Sequence, residues 1–272
     1  MAMLPMSAPV FAILSGFIEE KVGLHFGPDK ADLVVDRVAT RALECGFTSP
    51  LDYYYFLRYD DPGEVELQTL VASLVVHETF FFREFDQLEL AATLLEARAR
   101  TGVVPRVWST ACATGEEPLT LAMLLDERGL LRKVEVVATD LSERALARAR
   151  GGTFPQRSLR AVPRPKLVDR WVRAKDDRLA VDPDLVDSIH WERLNLLDEA
   201  GVAALGTFDV ILCRNVLIYF RDDTAKKVVQ SLARRLEPEG ALFVGVSESL
   251  LRFETSLRCE ERAGAFFYRK AE

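Results

Sequence analysis

Between Arg106 and Pro118 the chain reads Arg-Val-Trp-Ser-Thr-Ala-Cys-Ala-Thr-Gly-Glu-Glu-Pro, a short apolar strand that passes through a turn of small residues into a helix. Small side chains let a ligand lie against the backbone, where the N–H groups of a helix start have no intrahelical partner. A dinucleotide pyrophosphate calls for G-x-G-x-x-G, whereas this loop has one glycine, Gly115, and no Gly-Lys-Ser or Gly-Lys-Thr follows. Glu116 and Glu117 would repel a diphosphate but tolerate a cationic, amino-acid-bearing nucleoside; either could also serve only as a favourable first-turn residue. Asp140 lies 25 residues after Gly115 and ends the run Val136-Val137-Ala138-Thr139. An acidic residue there can accept from both ribose hydroxyls, and capping the helix that begins near Ser142 is the competing role.

A second set of polar residues follows the buried strand Phe208 to Cys213: Arg214, Asn215 and, after Val216-Leu217-Ile218, Tyr219. Ligands of open α/β sheets bind outside the carboxyl ends of strands, which aims these residues at a pocket; packing beside Phe220 is the alternative for Tyr219. Thr79-Phe80-Phe81-Phe82-Arg83-Glu84 places three successive aromatics at the junction of two regions, and three in a row cannot all face one core. At least one is expected to line an interdomain surface with Arg83 beside it, unless that arginine only pairs with Glu78 or Glu84.

These residues need elements to hold them. From Val10 to Val76 apolar residues recur at three- and four-residue spacing, and breaks at Gly27-Pro28, Gly46 to Pro50 and Asp60 to Gly63 predict about four short helices, the third spanning Leu51 to Tyr59. After Thr101-Gly102, β-branched runs at 103–108, 134–139, 208–213 and 241–246 alternate with helix-like stretches, the pattern of a parallel sheet covered on both faces. The stretch from about Thr153 to Trp191 breaks that rhythm with four prolines, and its pieces Arg178 to Val181 and Ser188 to Arg193 read as strands of a small hairpin-like insertion. The expected organisation is an all-α domain at 1–76, a linker at 77–100 carrying the Thr-Phe-Phe-Phe-Arg motif, and a Rossmann-like α/β domain at 101–272 with the insertion at about 153–191.

Composition narrows the partners. Net charge is −7 and the pI about 5.3, so general affinity for nucleic acid or anionic membrane is not expected. Cys45, Cys112, Cys213 and Cys259 stand far apart, as do His25, His77 and His190, so no metal site is implied. No apolar run reaches the roughly 20 residues of a membrane span, and the first residues lack the basic start of a secretion signal; a cytoplasmic protein is expected. Against the acidic total, Glu143 to Arg178 holds eleven Lys and Arg residues and four acids, a basic surface that suits an acidic partner or is simply a solvated face.

Together these segments resemble the chemotaxis receptor methyltransferase (CheR-type) family of protein-glutamate O-methyltransferases. The resemblance runs through His77-Glu78-Thr79-Phe80-Phe81-Phe82-Arg83-Glu84, Ser109 to Pro118, Ala138-Thr139-Asp140, Asn195-Leu196-Leu197, Cys213 to Phe220 and Gly245-Val246-Ser247-Glu248-Ser249. It implies a class I methyltransferase that takes S-adenosyl-L-methionine, leaves S-adenosyl-L-homocysteine, and forms glutamate methyl esters on the cytoplasmic helical region of a chemoreceptor or similar acidic signalling protein. The implied cofactor residues are His77, Thr79, Arg83, Glu116, Asp140, Asn195, Leu196, Arg214 and Asn215, with Arg83 and Tyr219 nearest the transferred methyl. The family commonly has asparagine where this chain has His77, whose ring can also donate or accept a hydrogen bond. A monomer is expected, without a tether to a receptor's C-terminal peptide, because the turn Ala174 to Arg178 is short and lacks glycine. Two other readings stay open: a non-catalytic S-adenosylmethionine-binding sensor or adaptor, and a nucleic-acid methyltransferase, for which no Asn-Pro-Pro-aromatic motif is present.

Overall fold

A computed structural model describes residues 4–75, 78–253 and 255–270. The chain divides into two compact units, Met1–Val76 with Tyr219–Arg221, and His77–Ile218 with Asp222–Glu272.

The first unit is helical. Helix α1 (Ala8–Val22) starts behind Ser7 with Pro9 in its first turn and stops at Gly23, whose left-handed φ of 77° lets its N–H reach the Glu19 carbonyl at 2.8 Å. Helices α2 (Ala31–Glu44), α3 (Pro50–Tyr55) and α4 (Val65–Leu74) follow, and α3 runs on as a π-helical turn, Phe56–Asp60, inside the stretch expected as one helix. Leu14, Ile18, Val34, Val38, Tyr53, Leu67 and Leu70 are buried together by the three- and four-residue spacing of their apolar positions. Glu66 is held by Arg41, through Nε at 2.9 Å and Nη2 at 2.5 Å, and by the Tyr53 hydroxyl at 2.6 Å, so the buried oxygen of Tyr53 has its partner. The short return segment joins this unit through the Leu24–Phe220 bridge, the His25 N–H donated to the Tyr219 carbonyl at 2.8 Å, and the Arg221–Glu19 ion pair at 2.9 Å.

The second unit carries α5 (Phe85–Ala99), β1 (Arg106–Ser109), α6 (Glu116–Glu127), β2 (Glu135–Asp140), α7 (Glu143–Arg150), β3 (Thr153–Pro155), α8 (Pro165–Trp171), β4 (Val172–Lys175), β5 (Arg178–Val181), α9 (Pro183–Val186), β6 (Ile189–Arg193), α10 (Glu199–Ala204), β7 (Phe208–Cys213), α11 (Asp222–Arg234), β8 (Leu236–Val244), β9 (Leu257–Arg262) and β10 (Ala265–Lys270). Its seven-stranded sheet has the order β6-β2-β1-β7-β8-β10-β9. The first five strands are parallel and the last two join antiparallel, giving a Rossmann-like sheet whose order reverses between β1 and β7. Val107, Val136, Val210, Leu212 and Phe243 pack with Leu119 and Met123 of α6 and with Leu88, Ala91 and Leu95 of α5 in one core.

Two expectations need correction. The stretch 77–100 is not a plain linker, because α5 buries its apolar face in the core of the second unit. The inserted sheet is β3-β5-β4, and its second hairpin strand is Val172–Lys175 rather than Ser188 to Arg193. The latter segment becomes β6 and pairs in parallel with β2, Ile189 opposite Val136 and Arg193 opposite Asp140, which places its carboxyl end beside that of β2. No helix among the described residues is long and apolar enough to cross a membrane.

Candidate functional site

The carboxyl ends of β1, β2 and β7 meet at the reversal point, and the loops that leave them are tied to one another by hydrogen bonds. The Thr110 N–H donates to the Leu212 carbonyl and the Cys112 N–H to the Thr139 carbonyl, each at 2.9 Å, which closes the β1 loop over both neighbouring strands. Thr139 accepts from the Trp108 indole N–H and donates to the Thr110 carbonyl, again at 2.9 Å each. Gly115 has a φ of 94°, and a Cβ there would lie 2.7 Å from the Ala149 Cβ and 2.9 Å from Cη2 of Trp191. Only glycine fits that close passage between α7 and β6.

Asp140 is buried at the end of β2. Its Oδ2 accepts the Ala113 N–H and its Oδ1 the Ser142 N–H, both at 2.8 Å, while the Leu194 N–H donates to its carbonyl at 3.1 Å. The carboxylate thus fixes the β1 loop and the start of α7, while the backbone carbonyl of Asp140 holds the segment after β6. In that last segment Asn195 forms a turn, its Oδ1 accepting the Leu197 N–H at 3.0 Å, and Leu196 is buried. The cap of α7 is Ser142, whose hydroxyl accepts from Ala145.

Glu116 is 2% exposed, and its carboxylate accepts from the Thr114 hydroxyl at 2.6 Å and the Ser158 hydroxyl at 2.9 Å. Burial pushes its carboxyl above the usual range, partly offset by those donors. Glu117 points the other way, to the Ser109 hydroxyl at 2.7 Å and Arg214 Nη1 at 2.8 Å. Burial raises it too, against the pull of Arg214. Arg214 Nη2 also reaches the Arg83 carbonyl at 2.7 Å and Glu84 Oε2 at 3.1 Å, so one guanidinium holds two carboxylates in the interior. Its Nε is buried with no acceptor among the described residues.

Asn215 takes a left-handed φ of 57°; its side-chain amide donates to Glu84 Oε1 at 3.1 Å and its N–H to Glu248 Oε2 at 2.7 Å. Glu248 also accepts from Gly245 at 2.8 Å and Ile218 at 3.2 Å, and a Cβ on Gly245 would come 2.5 Å from the Asn215 amide nitrogen. Phe81 and Phe82 are buried, Phe82 with a φ of 63° and its N–H on the Thr120 hydroxyl at 3.1 Å, whereas Phe80 and Thr79 are half-buried. Arg83 sits 5.9 Å from the Phe80 ring centroid and donates to the Glu78 carbonyl at 2.8 Å.

The second unit therefore holds Thr79, Arg83, Asn195, Leu196, Arg214 and Asn215 in its loops, with Glu116 at the start of α6 and Asp140 at the end of β2. Tyr219 belongs to the first unit, and His77 lies outside the described residues. Sequence reasoning missed Glu84, Glu248 and Ser158 as site-building residues. Glu84 and Glu248 stood inside quoted motifs but carried no spacing rule, and Ser158 sits in an insertion with no periodic pattern.

This donor set suits a cationic nucleoside bearing an amino acid. Two buried carboxylates, Glu116 and Asp140, flank a small-residue loop without a cationic side chain.

Comparison with known proteins agrees. Residues 9–75 match the model of the CheR methyltransferase all-alpha domain and residues 77–265 that of the CheR methyltransferase SAM-binding domain. Chemotaxis protein methyltransferase 2 of Vibrio cholerae is 35% identical over 251 residues, covering 90% of this chain and 87% of that protein. The chemotaxis protein methyltransferase of Escherichia coli is 32% identical over 256 residues, covering 92% and 88%. The chain belongs to the CheR methyltransferase family, as a methyltransferase whose cofactor is S-adenosylmethionine.

Proposed function

We propose that the chain transfers a methyl group to glutamate side-chain carboxylates of a chemoreceptor's helical cytoplasmic region, forming methyl esters. The observation that carries this reading is Arg83, a partly exposed guanidinium steadied by the Glu78 carbonyl and the Phe80 ring beside loops rich in buried carboxylate. An acceptor glutamate is ionised near neutral pH and needs no general base, so the protein's task is to hold and orient it, which a guanidinium does. S-adenosylmethionine, when bound, supplies the electrophilic methyl. Glu116 would face its ammonium group, Arg214 would border its carboxylate end, Asp140 its ribose, and Asn195 with Leu196 its adenine. Thr79 and Asn215 would complete this set. The role of Tyr219 beside the methyl, like that of His77, rests on the sequence resemblance.

The test is incubation with labelled S-adenosylmethionine and receptor cytoplasmic domains. Label released by mild base is expected, since esters hydrolyse where N-methyl groups persist; base-stable label would refute the reading. Arg83→Ala is expected to lower kcat by roughly tenfold, with Tyr219→Phe also reduced. Unchanged turnover in both would remove these assignments.

A pH dependence follows from Glu116. Burial raises the Glu116 carboxyl pKa above its unfolded-chain value, so folding favours protonation more than the unfolded chain does; the stability this group contributes is complete below the unfolded-chain value of about 4.3 and is lost as pH rises through the folded value. Glu116→Gln should therefore melt higher than the parent at pH 7.5 and equally at pH 4, with the hydroxyls of Thr114 and Ser158 turning to suit the amide. The cofactor's ammonium favours the ionised carboxylate, so the same variant should bind S-adenosylmethionine more weakly and lose the fall in affinity that acid causes in the parent. Thermal melts and calorimetric titrations at the two pH values check both.

A further inference from the structure

We infer that Arg83 and Arg160 form a two-guanidinium seat for the acceptor carboxylate, and that Glu78 fills part of this seat until an acceptor displaces it. The inference rests on the carboxylate acceptor proposed above and names how it is recognised. The guanidinium carbon of Arg160 lies 5.0 Å from the Phe80 ring centroid, and that of Arg83 lies 5.9 Å from the same centroid. The two are therefore within about 11 Å of each other, and one residue bridges them: Glu78 offers its carboxylate to Arg160 Nη1 at 2.9 Å and its carbonyl to Arg83 Nη1 at 2.8 Å. Arg160 Nε donates to the Arg157 carbonyl at 3.3 Å. Among the described residues, Nη2 of each arginine has no hydrogen-bond partner. Both guanidinium groups thus meet at one residue, Glu78, and a carboxylate is the group that planar N–H forks bind best.

Arg160 reaches this place from the inserted region. The turn Gln156–Ser158 after β3 is pinned twice, by the Phe81 N–H donated to the Ser158 carbonyl at 2.8 Å and by the Ser158 hydroxyl on Glu116 at 2.9 Å. Arg160 follows two residues later and is thereby fixed relative to the Glu116 loop. Its pair with Glu78 is half-exposed, at 44% and 60% of the two side chains, and such a screened pair is weak enough for one carboxylate to exchange for another. Glu78 presents the same functional group as the acceptor.

The experiment uses the full chain saturated with S-adenosylhomocysteine and poly-L-glutamate as the probe, with KM for receptor methylation measured in parallel. Arg160→Ala should raise both the probe Kd and KM by roughly fivefold, and Arg160→Lys should fall between. Glu78→Gln should lower both by roughly threefold, because the amide keeps the size but not the charge that competes. A merely structural Arg160–Glu78 pair would make both removals act in the same direction, through stability. Opposite signs support the seat; no shift, or equal signs, overturns it. Absence of base-labile label in the parent condemns the reaction reading instead, and the probe titrations still decide the seat.

Discussion

Arg214→Ala is expected to reduce the stability of the second unit by about 3–5 kcal/mol, the cost of stranding buried charge. The Arg214 side chain is 1% exposed and lies 2.8 Å from Glu117 and 3.1 Å from Glu84, both themselves largely buried. Its removal leaves two carboxylates in the interior with only hydroxyl, amide and backbone donors. Burial already holds the Glu117 carboxyl above the usual range, and Arg214 is the largest influence opposing that rise, so the variant's Glu117 should move higher still. A group with a raised folded pKa contributes its stability below the unfolded pKa and loses it as pH climbs through the folded one. The deficit of Arg214→Ala relative to the parent should therefore be small near pH 4 and open as pH rises toward 7.5. Arg214→Lys should rescue little, because one ammonium cannot reach Glu117, Glu84 and the Arg83 carbonyl together as a planar fork does. Urea titrations at the two pH values measure this. A constant, pH-independent loss would mean that lost packing rather than stranded charge sets the cost.

Parts of this architecture were legible from local pattern alone. Alternating β-branched runs and helix-like stretches identify a parallel sheet, because strands buried on both faces must be apolar throughout. Apolar spacing of three and four likewise identifies the helices that bury Leu14, Ile18, Val34 and Val38. The failure at Ser188 to Arg193 has a physical cause: a short strand looks the same whichever sheet it joins, and its register against Val136 to Asp140 is set by a partner some fifty residues earlier. Helix α5 follows directly on the triple-phenylalanine motif, and its local signal is the three- and four-residue spacing of Leu88, Ala91 and Leu95.

For the candidate site, residue type and position at strand ends or a helix start are what make Asp140, Arg214, Asn215 and Glu116 candidates. What was not legible was the division of labour among carboxylates. Glu116 and Glu117 are adjacent in sequence, yet α6 turns one toward Thr114 and Ser158 and the other toward Arg214. No spacing rule predicts that Glu84 shares Arg214 with Glu117, or that Glu248 gathers three backbone N–H groups from the loops after β7 and β8. Those contacts depend on loops with left-handed residues, Glu84 and Asn215 among them, whose conformations are imposed by the surrounding structure rather than by intrinsic preference.

Asp140→Asn is the second large effect, and it separates holding a loop from holding a ribose. The substitution conserves shape, yet each carboxylate oxygen accepts a backbone N–H, from Ala113 and from Ser142. An amide must turn its NH2 toward one of these donors, so one backbone N–H loses its acceptor whichever way the group is flipped, at about 1–3 kcal/mol. Ala113 sits at a φ of 49°, and losing its anchor would release the loop from that conformation. Each carboxylate oxygen can accept more than one hydrogen bond, so the proposed ribose hydroxyls would share Asp140 with the contacts that already tie it to the loops. Charge-assisted hydrogen bonds of that kind contribute about 1.5–3 kcal/mol each, and affinity for S-adenosylhomocysteine should fall by at least about a hundredfold. Loop disorder alone would also weaken binding, so the deciding comparison is with the 2′-deoxy analogue. If Asp140 receives the hydroxyls, the parent prefers the ribose form and Asp140→Asn loses most of that preference. If Asp140 only ties the loops, both ligands weaken by the same factor and the preference survives.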